Sequence, residues 1–337
     1  MANKAATMRR RSPMRVLTLT TNEEAPFMTQ QIEALSDRGV ETTVLAVPGD
    51  PTSTGGRSPV DYLRFLTHVR NTLDPSYDLV HAHYGLVAPA ALCQRRVPVV
   101  LSLWGSDLNG SIAPLSRVCA RHCEEVIVMS STMARELDVD AHVVPDGIDL
   151  STFAPRDRDE ARSAVGWTEP GYDVLFPYAP SRSVKNYPRA ERIVETVGDR
   201  FREPVRLRTI SGVPHDRMPT YMAAADALLL TSRSEGSPNA VKEAMACELP
   251  VVSTPVGDVP SRLADVEPAV VAESDRALSN GLEEVLRSDR RSNGRRAVQS
   301  LSLDRTTDAV YEVYLRALGT RESPSDRNAV TADMRHE

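Results

Sequence analysis

The sequence from Ser234 to Ala246 reads Ser-Glu-Gly-Ser-Pro-Asn-Ala-Val-Lys-Glu-Ala-Met-Ala, with two glutamates eight positions apart. Short, largely apolar runs stand on both sides of it, at 227–231 and 249–253. Such runs are typical of strands that are buried on both faces of a parallel sheet. The order strand, helix, strand predicts one parallel crossover unit, whose loop before the helix lies at the ligand-binding edge.

The start of this helix is predicted at Ser237, a good N-cap residue, with Pro238 at the first helical position. The backbone N–H groups of Asn239 and Ala240 would then have no partner inside the helix. Free N–H groups and the positive end of the helix dipole favour a bound phosphate. The segment is therefore a candidate phosphate site.

The spacing of the two glutamates fits a longer ligand. Glu243 lies about 9 Å along the helix axis from Ser237, roughly the reach from a nucleotide's diphosphate to its ribose hydroxyls, from which a carboxylate accepts hydrogen bonds. Glu235 precedes the helix and is free to face the group beyond the diphosphate. The alternative for an isolated pair is structural, because a glutamate can offset the helix dipole or lie on a solvated helix face. The flanking strands favour a nucleotide-sugar site.

Composition limits the classes of function. With 337 residues and 41% hydrophobic content, the chain can form two domains of ordinary size. A net charge of −6 argues against a nucleic-acid-binding protein. No apolar run is long enough to span a bilayer, and residues 8–13 are charged without the apolar core of a secretory signal.

The four cysteines fit a reduced, cytoplasmic protein. Cys119 and Cys123 flank His122 but lack a second ligand pair, so no metal site is predicted there.

Strands and helices alternate along both halves of the chain, which predicts an α/β fold of two doubly wound, Rossmann-like domains facing across a cleft. Residues 145–149 and the charged stretch 156–160 read as a connector between the two halves. The predicted divisions are a disordered tail at 1–12, an N-terminal acceptor-binding domain at 13–150, a C-terminal nucleotide-sugar-binding domain at 151–303, a helix at 304–320 that packs back towards the N-terminal domain, and a disordered tail at 321–337.

Several nucleotide and hydrolase motifs are missing. Neither half has G-x-G-x-x-G after its first strand, and there is no G-x-x-x-x-G-K-[ST] and no G-x-S-x-G. These absences argue against a nicotinamide enzyme, a P-loop ATPase and a serine hydrolase.

Residues 235–259 resemble the family-4 retaining glycosyltransferases of the GT-B fold, through Glu-Gly-Ser-Pro-Asn, Lys-Glu-Ala-Met-Ala and Leu-Pro-Val-Val followed by Val-Gly-Asp-Val. Four earlier segments, at 78–85, 104–107, 143–149 and 218–226, show weaker similarities to the family and occur in the same order as in the family. The resemblance covers roughly residues 14–318, and only the 235–259 block is specific by itself.

The resemblance implies a role for each matching position. Glu235 would lie beside the donor sugar and the reaction centre, and Glu243 would hold the ribose. Arg182 and Lys185 would grip the diphosphate. The backbone from Gly236 through Ser237 and Pro238 to Asn239 would also bind the donor. In the N-terminal domain, the resemblance implies a catalytic Asp107 and a cleft or acceptor site at Trp104, Gly105 and His83.

The chain departs from the family pattern at four places. Arg182 and Lys185 are three apart, where about five is frequent, and Trp104 stands where many members have histidine. Residues 20–27 lack the usual glycine-rich loop. Glu248 replaces a frequent glycine at a predicted helix-end turn.

The resulting hypothesis is a retaining glycosyltransferase that moves a sugar from a nucleoside-diphosphate sugar to a hydroxyl of a glycan or lipid-linked acceptor, with no cofactor and no metal. The D-x-D triplet at 138–140 lies at a predicted helix end in the other domain, so it does not predict a metal site beside the donor. Two alternatives stay open: a GT-B nucleotide-sugar epimerase and a non-catalytic nucleotide-sugar binder.

Membrane contact is a further interpretation. Arg64, His68 and Arg70 accompany an apolar helical stripe, and such a face can rest on the inner, anionic surface of a membrane. The alternative is a helix packed on the core with solvated charges.

Overall fold

The computed structural model describes residues 13–49 and 57–319. The two predicted disordered tails lie outside the described residues. The N-terminal domain has a parallel sheet in the order β2-β1-β3-β4-β5-β6. Its strands are β1 (Met14–Thr20), β2 (Val40–Ala46), β3 (Leu79–His83), β4 (Val99–Leu103), β5 (Glu125–Val128) and β6 (His142–Val143).

The C-terminal domain has a second parallel sheet, in the order β11-β10-β9-β7-β8. Its strands are β7 (Tyr172–Phe176), β8 (Val205–Thr209), β9 (Ala227–Leu230), β10 (Val251–Ser253) and β11 (Ala269–Val271). Along β9, Leu228 and Leu230 belong to one hydrophobic core, and Leu229 belongs to the core on the opposite face. Burial on both faces explains why this strand is apolar throughout.

Helices connect the strands on both faces of each sheet. In the N-terminal domain they are α1 (Pro26–Ser36), α2 (Pro59–Thr72), α3 (Ala88–Leu92), α4 (Ser106–Asn109), α5 (Ala113–Ala120) and α6 (Ser131–Arg135). In the C-terminal domain they are α7 (Arg158–Val165), α8 (Tyr187–Gly198), α9 (Met218–Ala224), α10 (Asn239–Ala246), α11 (Val259–Arg262), α12 (Asp275–Ser288) and α13 (Gly294–Val298), followed by α14 (Leu303–Gly319). Short 3-10 turns occur at Ser183–Lys185, His215–Arg217 and Gln299–Leu301.

The predicted fold class, two Rossmann-like α/β domains, is confirmed by these two sheets. The prediction of a connector at 156–160 is wrong, because α7 begins inside it. The Asp157 side chain accepts the Glu160 N–H at 2.9 Å and caps the helix. Ala161 is buried where α7 packs against α9. The charged residues around Ala161 led to the prediction of a connector, because this short helix has only one fully buried residue.

The predicted start of α10 also needs correction. Pro238 is the N-cap residue, with φ −69° and ψ 117°, and Asn239 is the first helical residue. The Ser237 hydroxyl does not cap the helix but donates to Asp258 Oδ2 at 2.8 Å. The local sequence predicted that the Ser237 hydroxyl caps the N-terminus of α10. The hydroxyl instead hydrogen-bonds to Asp258, 21 residues away in the chain.

The chain crosses between the domains twice, at two segments that lie side by side. The Ile148 N–H donates to the Leu301 carbonyl, and the Leu303 N–H donates to the Ile148 carbonyl, both at 2.9 Å. A Cβ at Gly147 would lie 2.7 Å from Leu303 Cα, so glycine permits this close approach. From there α14 packs on the N-terminal domain, where the buried Tyr314 hydroxyl hydrogen-bonds to His81 Nδ1 at 2.7 Å.

Candidate functional site

The loops that follow β4 and β9 meet between the two domains. A Cβ on Gly105 would lie 3.0 Å from the Gly236 backbone nitrogen, and a Cβ on Gly236 would lie 2.7 Å from the Trp104 carbonyl oxygen. Gly257 approaches the same place, since its Cβ would lie 2.3 Å from the Gly236 carbonyl oxygen. Gly105 and Gly236 therefore allow the carboxyl ends of both sheets to come into backbone contact, and Gly257 allows the 235–236 loop to pack on its own domain.

A cavity of about 390 Å³ opens beside this contact. We call it the Glu235 cavity. It is lined from both domains by Trp104, Ser106, Asn109, Gly110, Arg182, Val184, Lys185, Ser234, Glu235 and Gly236. The cavity joins a carboxylate, two cations and an aromatic ring that the sequence separates by up to 131 positions, from Trp104 to Glu235.

Lys185 and Glu235 form an ion pair at this cavity, with Nζ 2.5 Å from Oε1. The Lys185 side chain is 5% exposed and the Glu235 side chain 14%. The ammonium also lies 3.9 Å from the centroid of the Tyr178 ring, a cation–π distance. Burial lowers the pKa of Lys185, against the opposite effect of the Glu235 carboxylate.

Arg182 differs from Lys185 in exposure although both line the Glu235 cavity. Its side chain is exposed, and its guanidinium lies 5.8 Å from the Tyr178 ring centroid. Arg182 therefore lies on the exposed part of this loop, whereas Lys185 is buried. An exposed guanidinium at a cavity mouth is free to bind an incoming anion.

Backbone donors without partners lie next to the ion pair. Among the described residues, no hydrogen-bond acceptor meets the N–H groups of Gly236, Ser237, Asn239 or Ala240. They surround the first turn of α10, where the helix dipole favours negative charge. This arrangement is suited to binding a phosphate.

Glu243 lies in a second, smaller cavity of about 190 Å³, which we call the Glu243 cavity. The side chain of Glu243 is 10% exposed, so the alternative of a solvated helix face is wrong for this residue. His215 Nε2 lies 2.9 Å from Glu243 Oε1. The lining residues are Pro26, Phe27, Gln30, Gly147, Ile148, Asp149, Phe153, His215, Asn239 and Glu243.

Asp107 is fully buried behind the Trp104–Gly105 loop. Its Oδ1 accepts the N–H groups of Trp104 at 2.8 Å and Gly105 at 2.9 Å, and its Oδ2 accepts the Gly85 N–H at 3.2 Å. Burial raises the pKa of Asp107 to about 6, although these hydrogen bonds act in the opposite direction. The carboxylate holds the loop that touches the C-terminal domain, and it does not line the Glu235 cavity.

Aromatic rings form the N-terminal side of the cleft. Trp104 packs against Phe27, with ring centroids 4.6 Å apart, and stacks on His83 at 5.8 Å with an interplanar angle of 22°. His83 is buried, and its Nδ1 has no hydrogen-bond partner among the described residues. Burial lowers the pKa of His83 to about 3, so the imidazole is neutral at physiological pH. Phe27 and Trp104 stand between the Glu243 and Glu235 cavities.

The structure thus places Glu235, Arg182, Lys185, Gly236 and Trp104 around one cavity. It places Glu243 and Asn239 in the other cavity. Ser237 and Pro238 connect Gly236 of the first cavity to Asn239 of the second. No group of three or more histidine, cysteine, aspartate or glutamate side chains within 13–49 and 57–319 is arranged to hold a metal ion.

Sequence reasoning missed His215, Tyr178 and Phe27. None of them belongs to a recognisable short motif. Their common signal is position, because each lies in or just after a loop at the carboxyl end of a strand, where ligands bind in open α/β sheets.

Two family models match the chain. The model described as "Glycosyl transferase 4-like domain" matches residues 1–147, and the one described as "Glycosyl transferases group 1" matches residues 190–288. The first match covers most of the N-terminal domain. The second includes both glutamates and most of the C-terminal sheet.

Curated relatives are 26–28% identical to the chain over the aligned residues. A putative teichuronic acid biosynthesis glycosyltransferase, TuaC of Bacillus subtilis, is 28% identical over 213 residues, which is 55% of this chain and 54% of that protein. A D-inositol 3-phosphate glycosyltransferase of Mycobacterium leprae is 28% identical over 300 residues, 72% of this chain and 70% of that protein. The chain spans about half the length of TuaC in this match.

Solved structures share the fold at low identity. Sucrose-phosphate synthase from Thermosynechococcus elongatus superposes with a TM-score of 0.73 at 16% identity, over 91% of this chain and all of the other. HepE from Anabaena, solved in complex with UDP and glucose, has a TM-score of 0.64 at 15% identity, over 89% of this chain and 98% of that one.

Proposed function

Because the chain belongs to the family-4 glycosyltransferases of the GT-B fold, we propose that it transfers a sugar, with retention at the anomeric carbon, from a nucleoside-diphosphate sugar to a hydroxyl acceptor. The observation that carries this proposal is the Glu235 cavity. There the donor-domain Glu235 and Lys185 face the Trp104 loop of the other domain.

The leaving diphosphate would be stabilised by Lys185, Arg182 and the free N–H groups at the start of α10. Cations and preorganised N–H groups lower the energy of a departing anion most effectively where water is excluded. Glu235 lies beside them and would stabilise the positive charge that develops on the donor sugar. Glu243, in the neighbouring cavity, would accept hydrogen bonds from the ribose hydroxyls.

The same arrangement supports transfer without a metal ion or cofactor. A diphosphate leaving group needs positive charge beside it, and Lys185 and Arg182 provide that charge from protein groups. The test is direct: transfer should persist in an excess of EDTA. Loss of activity in EDTA that returns with a divalent cation would contradict metal independence.

The acceptor would enter from the N-terminal domain, past Trp104. A glycan or a lipid-linked sugar fits this aromatic wall, since sugar rings pack on aromatic faces. Inositol 3-phosphate is a sensible first candidate, because relatives at 26–28% identity are named as D-inositol 3-phosphate glycosyltransferases.

One experiment tests the proposal in two steps. Thermal unfolding is first measured with UDP, GDP, ADP and TDP, since a ligand at a hundred times its Kd stabilises the folded protein by about 2.7 kcal/mol. The matching nucleotide-sugar is then incubated alone and with acceptors, and the anomeric configuration of the product is determined by NMR. No shift with any diphosphate would overturn the donor site.

The second step separates the alternatives. Conversion of the donor in the absence of an acceptor would indicate an epimerase, binding without turnover would indicate a sensor, and acceptor-dependent transfer supports the proposal. An inverted product would overturn retention while leaving the transferase function intact.

We also propose a peripheral contact with the inner, anionic face of the membrane. No helix within the described ranges is both long enough and apolar enough to cross a bilayer. Helices α2 and α5 both pack against α3, and exposed apolar side chains occur on both. They are Val60 and Leu63 on α2, at 51% and 65% exposure, and Leu115 and Val118 on α5, at 39% and 49%.

Exposed basic side chains, Arg64 and Arg70, accompany the apolar residues on α2. Apolar insertion combined with attraction to anionic lipid is the usual basis of such binding. Sedimentation with phosphatidylglycerol vesicles should therefore be salt-sensitive and weaker for Leu63→Ser, with neutral vesicles as the control. Equal recovery of protein in the pellet with and without vesicles would end this proposal.

A further inference from the structure

We propose that His215 is a positioning residue that holds the Glu243 carboxylate in the orientation needed to recognise a ribose diol. The inference rests on the proposed function, in which Glu243 binds the ribose. It assigns to His215 a role in distinguishing ribonucleotide donors from 2′-deoxyribonucleotide donors.

The first argument is geometry. His215 lies on the 3-10 turn before α9, and Glu243 lies on α10, yet Nε2 and Oε1 are 2.9 Å apart. The imidazole is also fixed from its side, since the Phe153 ring centroid lies 5.1 Å away at an interplanar angle of 56°. All three side chains line the Glu243 cavity.

The second argument is the count of hydrogen bonds. An ionised carboxylate has about four sites that accept hydrogen bonds. Among the described residues, the Glu243 carboxylate accepts only the one from His215. A carboxylate this buried is costly without donors. The remaining capacity of Glu243 faces a cavity of about 190 Å³, which has room for a pentose ring and two donating hydroxyls.

The third argument concerns what happens without His215. The Glu243 carboxylate would lose the one hydrogen bond that orients it among the described residues. A carboxylate that is free to rotate no longer presents its oxygens to the ribose hydroxyls in a fixed geometry. The ribose and the 2′-deoxyribose would then differ little in affinity, because the oriented acceptor that distinguishes them would be lost.

His215 also makes the recognition pH-dependent. The hydrogen bond to Glu243 raises the pKa of His215 above its ordinary value of 6.5, with Asp216 adding to the effect. As the pH rises through this raised pKa, the positive charge beside Glu243 is lost and ribonucleotide affinity should fall. Within residues 13–49 and 57–319, Asp146, Lys242, Tyr178 and Cys247 also interact electrostatically with Glu243.

The test compares dissociation constants for UDP, GDP and ADP with those of their 2′-deoxy forms, using the pair that binds wild-type protein best. Wild type should bind the ribonucleotide at least about tenfold more tightly, because the 2′-hydroxyl adds one hydrogen bond to a charged group. In His215→Ala this ratio should fall below about threefold. His215→Gln, whose amide can donate from nearly the same place, should retain most of the ratio.

The pH profile supplies a readout that a merely structural role would not move. Between pH 6 and pH 9, wild-type affinity should fall relative to that of His215→Gln, whose amide does not titrate. His122→Ala is the matched control, since this exposed histidine lies in the N-terminal domain outside both cavities. It should behave as wild type.

The outcomes distinguish failure of the proposed role of His215 from failure of the proposed donor site. If wild type binds a diphosphate but the ratio is unchanged in His215→Ala and the pH profiles coincide, the role of His215 is overturned and the donor site stands. If wild type binds no diphosphate, both proposals fall. If His215→Ala does not fold, the pH profile of His215→Gln against wild type decides.

Discussion

Lys185 and Glu235 are 50 residues apart in the chain, yet their side chains form an ion pair on one wall of the cavity between the domains. The ammonium lies between the Glu235 carboxylate and the Tyr178 ring. A cation held in this way can meet a leaving diphosphate without first losing its position to solvent. The ion pair therefore contributes both to the stability of the loop between β9 and α10 and to the proposed chemistry.

Replacing Lys185 by methionine should reduce both stability and transfer. Breaking a buried ion pair leaves an uncompensated charge and costs about 3–5 kcal/mol, and loss of an electrostatic stabiliser of the transition state costs about 10²–10³ in kcat. Chemical denaturation and initial rates measure the two effects. The double variant Lys185→Met/Glu235→Gln should regain most of the stability but none of the rate. Full activity in Lys185→Met would contradict the assigned role.

The two glutamates should fail in different ways. Glu243→Ala should weaken nucleotide binding by about 1.5–3 kcal/mol, the value of hydrogen bonds to a charged group. Glu235→Ala should mainly lower kcat, because it acts on the charge that develops at the sugar. Calorimetric titration with the diphosphate and steady-state rates distinguish these effects. Equal losses of binding in both variants would contradict the separate roles.

Gly236→Ala should impair transfer by forcing the domain loops apart. The added Cβ would lie 2.7 Å from the Trp104 carbonyl oxygen, closer than a real Cβ approaches backbone. Overpacking costs about 1–3 kcal/mol, and a misplacement of about 1 Å can cost 10² in rate. Gly198→Ala is the control, since nothing lies within 4 Å of its added Cβ. Comparable rates for the two variants would show that the loop contact is dispensable.

Asp107 should contribute a distinct pH dependence to stability. Its pKa is about 6 in the folded chain and its ordinary value is 3.8, so the folded state binds the extra proton between these values. This group therefore stabilises the fold as the pH falls from about 6 to about 4, and its ionised form is costly above pH 6. The contribution is about 3 kcal/mol, because the folded and ordinary pKa values differ by about 2.2 and each pKa unit is worth 1.36 kcal/mol.

Asp107→Asn should remove this slope, which urea denaturation from pH 4 to pH 7 would reveal. Asp37→Asn, at an exposed position, is the control. Parallel curves for wild type and Asp107→Asn would show that Asp107 titrates as an ordinary aspartate.

Glu248→Gly should stabilise the protein. Glu248 follows α10 with φ +58°, in the left-handed region where the family often has glycine. A side chain there costs about 1 kcal/mol, so the melting temperature should rise by roughly 2–4 °C. Glu284→Gly, on the exposed face of α12, should lower it by a similar amount. A decrease in both variants would contradict strain at Glu248.

Local sequence patterns were sufficient to predict secondary structure where the apolar residues of a segment follow the period of a buried strand or helix. The apolar run at 227–230 became β9 because a strand covered on both faces needs apolar residues throughout. The family resemblance of 235–259 rested on the loop and helix that follow β9. Its two glutamates were therefore recognisable from sequence, as was the two-domain α/β class.

Tertiary structure alone decided which side chains meet. The Ser237 hydroxyl donates to Asp258 and does not cap the N-terminus of α10. Lys185 forms an ion pair with Glu235, 50 positions away in the chain. His215 reaches Glu243 across 28 positions, from a turn with no recognisable motif. Such partners depend on how the loops after separate strands converge at one sheet edge. No periodicity along the chain records that convergence, because it arises from the packing of strands and helices far apart in sequence.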